Sequence, residues 1–308
     1  MLFRISRIEK HGGRSSFVSD DSQYLSITEN YNHLAVRRIG RALYATIDNP
    51  PINLITKSLL IDLIKFSQWV EEDEESTVLV LESSNPDFFI AHFDVEALLE
   101  IDSESRTGPV NSLTVFDELC ERFQKMPKIT ICVVRGRVGG GGSEIAMSCD
   151  LRFAELESAR MNQMEVPIGI IPGGGGTQRL PNLIGYPRAI ELIVGGLDLD
   201  AKTGERWGYF NRSLPSTELT SFVNKFVQRV SSFDPAAVRA SKQALQLTLP
   251  DFTEGLIEEN NLFNERNYSE NGRNLMRQFL KMGGQTIDQE LRIEDFVLEV
   301  TNEMNSEN

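Results

Sequence analysis

Apolar and polar positions follow two patterns along the first two thirds of the chain. Three short runs of mainly apolar residues predict strands, at 42–47, 77–81 and 129–134. The segment 58–70 instead has its apolar residues at the spacing of an amphipathic helix. A second helix is predicted over 111–126, because Pro127 ends it. Strands that are separated by helices of this length indicate an α/β architecture.

The pattern changes near residue 199, beyond which strand signals disappear. Three further helices are predicted, over 219–230, 235–247 and 252–282. We therefore divide the chain into four parts, an N-terminal extension at 1–24, an α/β body at 25–198, a helical region at 199–287 and an acidic tail at 288–308. The extension contains arginines but lacks the apolar run of a secretory signal, so we expect disorder there, with a transit peptide as the alternative.

The charge balance excludes some classes of partner. The chain has 31 Lys and Arg against 45 Asp and Glu, a net charge of −14. A nucleic-acid binder needs a basic face, and so does a protein that binds an anionic membrane surface. We expect neither partner. Much of the acidity lies in the run 71–75 and in the tail 288–308, and such runs are usually solvated.

Cysteine and histidine usage indicates neither disulfides nor a metal site. Cys120, Cys132 and Cys149 are widely spaced and form no C-x-x-C motif, so we expect three buried thiols in a reducing, cytoplasmic setting. The chain has only three histidines, and these are scattered. No apolar run approaches the roughly 18 residues that a spanning helix needs.

Two runs of four glycines, 139–142 and 173–176, are the most unusual local features. Neither is followed by the G-K-[ST] of a P-loop, and neither fits a dinucleotide fingerprint. The first run follows a predicted strand and precedes a predicted helix that begins at Ser143. Bare amides at a helix N-terminus can approach a substrate oxygen closely, which is the geometry of an oxyanion hole. A flexible loop is the alternative.

Two glutamates accompany these runs. Glu144 is expected in the first turn of the helix after the first run, beside the bare amides. Glu165 stands among apolar neighbours, and burial there would raise its pKa toward the range that is useful for proton transfer. Two carboxylates beside one oxyanion hole would form an acid–base pair next to a carbonyl group. If Glu165 is exposed on the surface, it has no such role.

The segment 135–150, R-G-R-V-G-G-G-G-S-E-I-A-M-S-C-D, resembles the central signature of the enoyl-CoA hydratase/isomerase (crotonase) family. The segment from Glu165 through 171–180, I-P-G-G-G-G-T-Q-R-L, resembles the next family motif, and the spacing between the two is preserved. The segment 88–95, F-F-I-A-H-F-D-V, is a looser third match. The resemblance extends over about residues 25–280.

The resemblance implies a fold, an assembly and a substrate class. The family fold is a spiral of ββα turns, followed by C-terminal helices that pack in trimers or in hexamers built from two trimers. The ligand is an acyl-coenzyme A thioester, and no separate cofactor is implied. Backbone amides at Phe93 and Gly141 would bind the thioester oxygen, and Glu144 and Glu165 would share the acid–base chemistry. Further substrate contacts are implied at Ala91, His92, Asp94, Gly140, Gly142, Gly173 and Lys281.

Departures from the family pattern affect the substrate more than the fold. His92 stands where the family usually has glycine. Phe93 replaces a residue that is commonly small, and its larger side chain can trim the acyl pocket. Where the family often has a Lys-Arg pair for the coenzyme A phosphates, this chain has only Lys281.

Several reactions fit the resemblance. Retention of both glutamates favours hydration of a 2-enoyl-CoA, because isomerases of the family often keep only the glutamate at the position of Glu165. Double-bond isomerisation, or another thioester-enolate reaction, is the alternative. An acyl group on a carrier protein stays open as the substrate, since the pantetheine arm is common to both thioesters. A non-catalytic relative would be expected to lose the glutamates.

Overall fold

Two β-sheets form the body of the protein, which we describe from a computed structural model. The structure describes residues 25–26, 30–101 and 108–306. The N-terminal extension 1–24 therefore lies outside the described residues. The larger sheet has seven strands in the order β1 (Leu25–Ser26), β2 (Leu34–Ile39), β3 (Ala42–Ile47), β4 (Val78–Ser83), β6 (Ile129–Val134), β8 (Leu151–Glu155) and β11 (Arg212–Leu214). The smaller sheet has the order β10 (Leu199–Asp200), β9 (Arg160–Asn162), β7 (Arg137–Gly139) and β5 (Phe88–Ile90).

Successive turns of the chain place one strand in each sheet. The pairs β4 and β5, β6 and β7, and β8 and β9 each consist of a longer strand in the larger sheet and a short strand in the smaller sheet. Neighbouring turns pair in parallel within both sheets. This arrangement confirms the α/β class and the spiral of ββα turns. The predicted strands at 42–47 and 129–134 coincide with β3 and β6.

Thirteen helices accompany the sheets in the described residues: α1 (Lys57–Glu72), α2 (Val95–Glu100), α3 (Val115–Lys125), α4 (Gly140–Ser148), α5 (Gly176–Ile184), α6 (Tyr186–Gly195), α7 (Ala201–Trp207), α8 (Ser216–Ser231), α9 (Pro235–Gln246), α10 (Thr253–Tyr268), α11 (Glu270–Lys281), α12 (Ile287–Glu290) and α13 (Ile293–Ser306). None of the helices in the described part of the chain is both long and apolar enough to cross a membrane.

Local hydrogen bonds set two helix boundaries that apolar spacing did not locate. α3 begins four residues later than predicted, because Thr114 and Asp117 form a capping box at its N-terminus. The single helix predicted over 252–282 is two helices. Ser269 takes an extended conformation after α10, and its hydroxyl accepts the amide N–H of Gly272 in the first turn of α11.

The three larger apolar clusters of the described residues hold these layers together. The largest lies between the two sheets and includes residues of α1, α3 and α4, and a second lies between the outer face of the larger sheet and α8. The third joins α11 and α13 to the segment that carries Met164, Ile168 and Ile170. Cys120, Cys132 and Cys149 are buried free thiols, as predicted.

Two expectations for the chain beyond residue 199 are wrong. Strands do occur there, since β10 pairs with β9 and β11 pairs with β8. These strands are only two and three residues long, too short to produce an alternating pattern. The acidic segment from residue 288 is not a solvated tail. α13 buries Ile293, Phe296, Val297 and Val300, which lie on one helical face, while the acidic residues between them lie on other faces.

Replacing Phe296 with alanine is expected to lower the free energy of unfolding by about 3–5 kcal/mol, the usual cost of deleting a buried aromatic ring. Phe296 is 1% exposed and packs against Phe279 with ring centroids 5.4 Å apart. Urea denaturation measures the change. The control is Leu298→Ala on the same helix, where the side chain is 60% exposed and the effect should stay below about 0.5 kcal/mol. Equal effects would show that α13 is not packed as described.

Candidate active site

The carboxyl ends of three adjacent parallel strands define the candidate site. β5, β7 and β9 are neighbours in the smaller sheet, so the segments that follow them leave from the same edge. The segment after β5 contains His92 and Phe93, the segment after β7 is the start of α4, and the segment after β9 leads to Glu165. Residues that are more than 70 positions apart in sequence are brought together in this way.

A cavity of about 260 Å³ lies at this edge. Most of its wall is apolar, with contributions from α2, α3, α10 and the segment after β9. The polar groups on the wall include two carboxyl side chains, those of Glu144 and Glu165. Its lining comprises Leu60, His92, Phe93, Val95, Leu98, Ile101, Thr114, Val115, Phe116, Gly141, Glu144, Met164, Glu165, Ile168, Ile170, Ile171, Gly173, Asn260, Phe263 and Asn264.

The first glycine run is the first turn of α4, which begins at Gly140 and not at Ser143 as predicted. A Cβ on Gly142 would lie 2.6 Å from Cβ of Ile90, and a Cβ on Gly140 would lie 2.8 Å from Oε1 of Glu165. Positions 140 and 142 therefore require glycine: the start of the helix is packed closely against β5 and Glu165, which leaves no room for a side chain. Gly140 also has a positive φ of 44°. One consequence is that Glu144 lies in the second turn of α4, not in the first.

Two neighbouring residues near the start of α4, Phe93 and Gly141, each carry a backbone amide of interest; a Cβ on Gly141 would lie 3.6 Å from Cβ of Phe93. The N–H of Gly141 belongs to the first turn, where a helix offers no internal acceptor. Phe93 forms a parallel bridge with Ile55, but the bonds of that bridge use the carbonyl of His92 and the amide of Asp94. Within the described residues, the amides of Phe93 and Gly141 therefore have no acceptor. Both residues line the cavity.

Glu144 is 3% exposed and is held by the second glycine run. Its Oε1 accepts the amide N–H groups of Gly174 and Gly176 at 2.7 and 2.8 Å. Burial raises the pKa of Glu144 to about 7, and the two amide bonds and Arg179 counteract part of that rise. Because the amides bind the charged form, they favour the carboxylate of Glu144 at neutral pH.

Glu165 is 8% exposed, so the alternative of a surface position is excluded. Its Oε2 is buried and has no hydrogen-bond partner among the residues that the structure describes. Burial, together with the charge of Glu144, raises the pKa of Glu165 to about 8. At neutral pH Glu165 therefore favours its protonated form more strongly than Glu144 does, which is the difference between acid and base that such a pair requires.

Sequence reasoning missed a third buried carboxylate, Glu259 on α10. Its Oε1 accepts the amide of Gly175 at 2.6 Å, and its Oε2 accepts the amide and the hydroxyl of Thr177. The second glycine run thus donates alternate amides to Glu144 and Glu259. The available signal was that Leu256, Glu259, Asn260 and Phe263 share one helical face, which places a carboxylate on the buried side of α10.

The other predicted contacts divide into two groups. His92 and Gly173 line the cavity, and a Cβ on Gly173 would lie 2.8 Å from the ring of Phe263. The remaining residues do not line it. Asp94 caps α2 and Lys281 is exposed at the end of α11. Ala91 packs with Ile52 and Phe88, while Gly140 and Gly142 support the helix start.

We expect the protein to be less stable at alkaline pH. The pKa values of Glu165 and Glu259, each about 8, lie above the usual value of 4.5, so the folded state holds protons that the unfolded chain has lost. Stability from these groups is therefore lost as pH rises from about 4.5 to about 8. Thermal unfolding at about pH 5.5 and about pH 8.5 measures the difference, which Glu165→Gln should reduce. An unchanged difference in that variant would contradict the assignment to Glu165.

Comparisons with known proteins agree with this geometry. Residues 40–283 match the family described as enoyl-CoA hydratase/isomerase. The chain is 31% identical over 253 residues to the short-chain-enoyl-CoA hydratase of Clostridium acetobutylicum, covering 81% of this chain and 95% of that one. It is 31% identical over 213 residues to enoyl-CoA isomerase/hydratase fer4 of Mycosarcoma maydis, covering 66% and 76% respectively.

A solved structure shows that the likeness extends to three dimensions. The crystal structure of a Streptomyces avermitilis protein superposes with a TM-score of 0.82 at 31% identity, covering 88% of this chain and 99% of that one. The matched region contains both glycine runs, the two glutamates of the cavity and all three strands that lead into it. The chain therefore belongs to the enoyl-CoA hydratase/isomerase family.

Proposed function

We propose that this protein catalyses the reversible syn addition of water to a 2-enoyl-CoA thioester. One observation supports the proposal above all others: Glu144 and Glu165 line the same cavity as Phe93 and Gly141, whose amides have no acceptor among the described residues. The Clostridium relative is named as a short-chain-enoyl-CoA hydratase, which agrees with this reaction. The reaction requires no cofactor other than the coenzyme A of the substrate.

In the proposed mechanism, the thioester oxygen accepts hydrogen bonds from the amides of Phe93 and Gly141. Attack on C3 moves electrons onto that oxygen, and donors already in place stabilise the resulting enolate. The N-terminus of α4 adds the positive end of its dipole.

The two glutamates share the remaining steps. Water is held between them, its oxygen bonds to C3, and one carboxylate takes its proton. The other carboxyl group delivers a proton to C2, so that one water molecule is added in total. Both carboxyl groups line one cavity, which favours addition of water and proton to the same face. Because the pKa of Glu165 depends on the charge of Glu144, the pair titrates as a unit.

The cavity wall favours an apolar acyl group. Phe93 and Phe116 meet edge to face with centroids 5.8 Å apart, and Phe263 lies against Gly173. These rings close the space beside the glutamates, which supports a short acyl chain. Free coenzyme A and a carrier protein both present a pantetheine arm; the acidic charge of this chain favours free coenzyme A, because carrier proteins are acidic themselves.

Double-bond isomerisation is the second candidate. Glu165 lines the cavity and has a carboxyl oxygen, Oε2, with no partner among the described residues, and a single carboxyl group can carry a proton from C2 to C4. The Mycosarcoma relative is named as an isomerase/hydratase, which supports isomerisation as the second candidate.

An assay with 2-enoyl- and 3-enoyl-CoA esters of increasing length separates the two reactions. Hydration predicts loss of the conjugated-thioester absorbance of crotonyl-CoA and uptake of one solvent oxygen by the product, which mass spectrometry detects. Formation of a 2-enoyl ester from a 3-enoyl ester, without uptake of solvent oxygen from either substrate, would replace hydration by isomerisation. Inactivity toward both would overturn the proposal.

We also propose a homotrimer, or a hexamer of two trimers, located in the cytoplasm. A groove of about 670 Å³ between α8, α9 and the end of α4 has an apolar wall, and Leu245 and Leu247 beside it are 68% and 87% exposed. Such a surface is typical of an interface between subunits. Light scattering after gel filtration measures the mass of the assembly, and a monomer would contradict the proposed trimer or hexamer.

The free thiols support the proposed location, because the cytoplasm is a reducing compartment.

A further inference from the structure

A buried charged contact joins the C-terminal segment to the loop that carries the Phe93 amide. The side chains of His92 and Glu290 are each 3% exposed, and Nε2 of His92 lies 3.1 Å from Oε1 of Glu290. On the other side of the ring, Nδ1 lies 2.7 Å from the carbonyl oxygen of Phe93. A carbonyl and a carboxylate both accept hydrogen bonds, so both ring nitrogens carry protons and His92 is an imidazolium.

The electrostatic surroundings agree with that charge. Burial opposes the imidazolium, but the carboxylate of Glu290 outweighs it and raises the pKa of His92. Glu165, on the segment after β9, acts in the same direction when it is ionised, and the charge of His92 in turn lowers the pKa of Glu165. Arg137 on β7 and Arg160 on β9 line a small cavity that His92 and Glu290 also line, and Arg137 is itself paired with Asp198.

A second set of bonds links the same two segments. The amide of Gln285 donates to Oε1 of Glu290 at 2.8 Å. The side chain of Gln285 accepts the amide of Val95 at 2.7 Å and donates to Asp94 at 3.1 Å. Gln285 makes these bonds from a left-handed conformation with φ of 67°, which costs energy in a residue other than glycine. The loop is therefore hydrogen-bonded to the C-terminal segment on both sides of the Phe93 amide, at His92 and at Asp94 and Val95.

Gln285 and Glu290 bind the loop around Phe93 from outside the cavity. Phe93 is the only residue between His92 and Asp94, and its amide is one of the two free donors. Neither Gln285 nor Glu290 lines the cavity, so they can act on a substrate only through this loop. Oxyanion donors are effective only when they are held in place, because a shift of about 1 Å can cost about 100-fold in rate.

We infer that His92, Gln285 and Glu290 are positioning residues, through which the C-terminal segment fixes the Phe93 amide for the thioester oxygen. This inference rests on the proposed function, since it assigns that amide to a thioester. It also explains why histidine stands at position 92: a side chain there spans from the loop to α12, which a glycine cannot do.

The first test compares Glu290→Gln with Glu294→Gln. An amide at 290 keeps an oxygen acceptor but removes the charge, so buried His92 is driven to its neutral form and the loop relaxes. We expect kcat for crotonyl-CoA to fall about 10- to 100-fold while KM changes less than about threefold. Glu294 is the matched control, because it accepts the Asp198 amide from α13 without touching the loop. Its replacement should leave kcat within about twofold.

A second variant covers the case in which Glu290→Gln does not fold. Gln285→Gly removes both side-chain bonds to the loop and relieves the left-handed strain, so folding should be preserved. We expect kcat to fall about tenfold with an unchanged midpoint of thermal unfolding. Wild-type kcat in both variants, or equal losses in Glu290→Gln and Glu294→Gln, would overturn the inference.

A spectroscopic probe separates this inference from the proposed reaction. A cinnamoyl-CoA thioester with a para-dimethylamino group absorbs at longer wavelength when its carbonyl oxygen is polarised, and no turnover is needed. We expect a red shift on binding to the wild-type protein and a smaller shift with Glu290→Gln. If the wild-type protein shows the shift but hydrates no ester, only the proposed reaction fails. An equal shift in both proteins would overturn the positioning role.

Discussion

Replacing Glu165 with glutamine is expected to lower kcat for hydration of crotonyl-CoA by about 100-fold or more, the usual scale of a lost acid–base group. Glu165 lines the cavity, its Oε2 has no partner in the described part of the chain, and its pKa is raised to about 8. It can therefore hold a proton at neutral pH and release it to carbon. An amide has nearly the same shape but cannot exchange that proton.

The measurement is the initial rate of loss of the conjugated-thioester absorbance, with the thermal unfolding of the variant followed in parallel. Glu258→Gln is the control, because that glutamate is exposed on α10 and does not line the cavity. The control should retain wild-type turnover. Turnover close to wild type in Glu165→Gln would remove Glu165 from the chemistry.

The positions of the strands and the meeting of the site residues could both be predicted from sequence, but for different reasons. The strands β3 and β6 consist mainly of apolar residues, so composition alone located them. The meeting of Gly141 with Glu165 depended on the resemblance to a family, since no periodicity relates the end of β7 to the end of β9. The structure adds the physical reason, which is that both strands are parallel neighbours in one sheet.

The two glycine runs were located from sequence, but their structural roles were predicted only in part. The first run was placed before a helix, whereas it forms the first turn of α4, because a side chain at Gly140 or Gly142 would overlap Glu165 or Ile90. Helix propensity disfavours glycine, and the close approach that overrides propensity is a tertiary contact. The second run binds Glu144 and Glu259, and Glu259 comes from a helix about 80 residues away.

The C-terminal segment was the largest error of interpretation, and its cause is instructive. Its high acidic content suggested solvation, but α13 is amphipathic and buries one face against α11. Net charge describes a whole segment, whereas burial depends on which face carries the charge. Glu290 could not be found at all from sequence, since its role depends on a histidine 198 positions away.

Replacing Glu144 with glutamine is expected to abolish measurable hydration while sparing proton exchange at C2. The amide oxygen can still accept the N–H groups of Gly174 and Gly176, so the glycine run should keep its conformation. What is lost is the charge that takes a proton from water, and we expect kcat to fall at least about 100-fold. Glu165 retains its carboxyl group and can still exchange a proton with the carbon beside the thioester.

Deuterium incorporation into butyryl-CoA, followed by NMR in heavy water, measures that exchange without any hydration step. The charge of Glu144 raises the pKa of Glu165, so its removal should move the pH dependence of exchange to lower pH. Glu259→Gln is the comparison, since it replaces the other carboxyl group that binds the same glycine run, and Glu259 does not line the cavity. If disturbance of the run alone were responsible, both variants would lose hydration and exchange in parallel. Equal loss of both activities in Glu144→Gln would show that the two carboxylates act as one group with no separable roles.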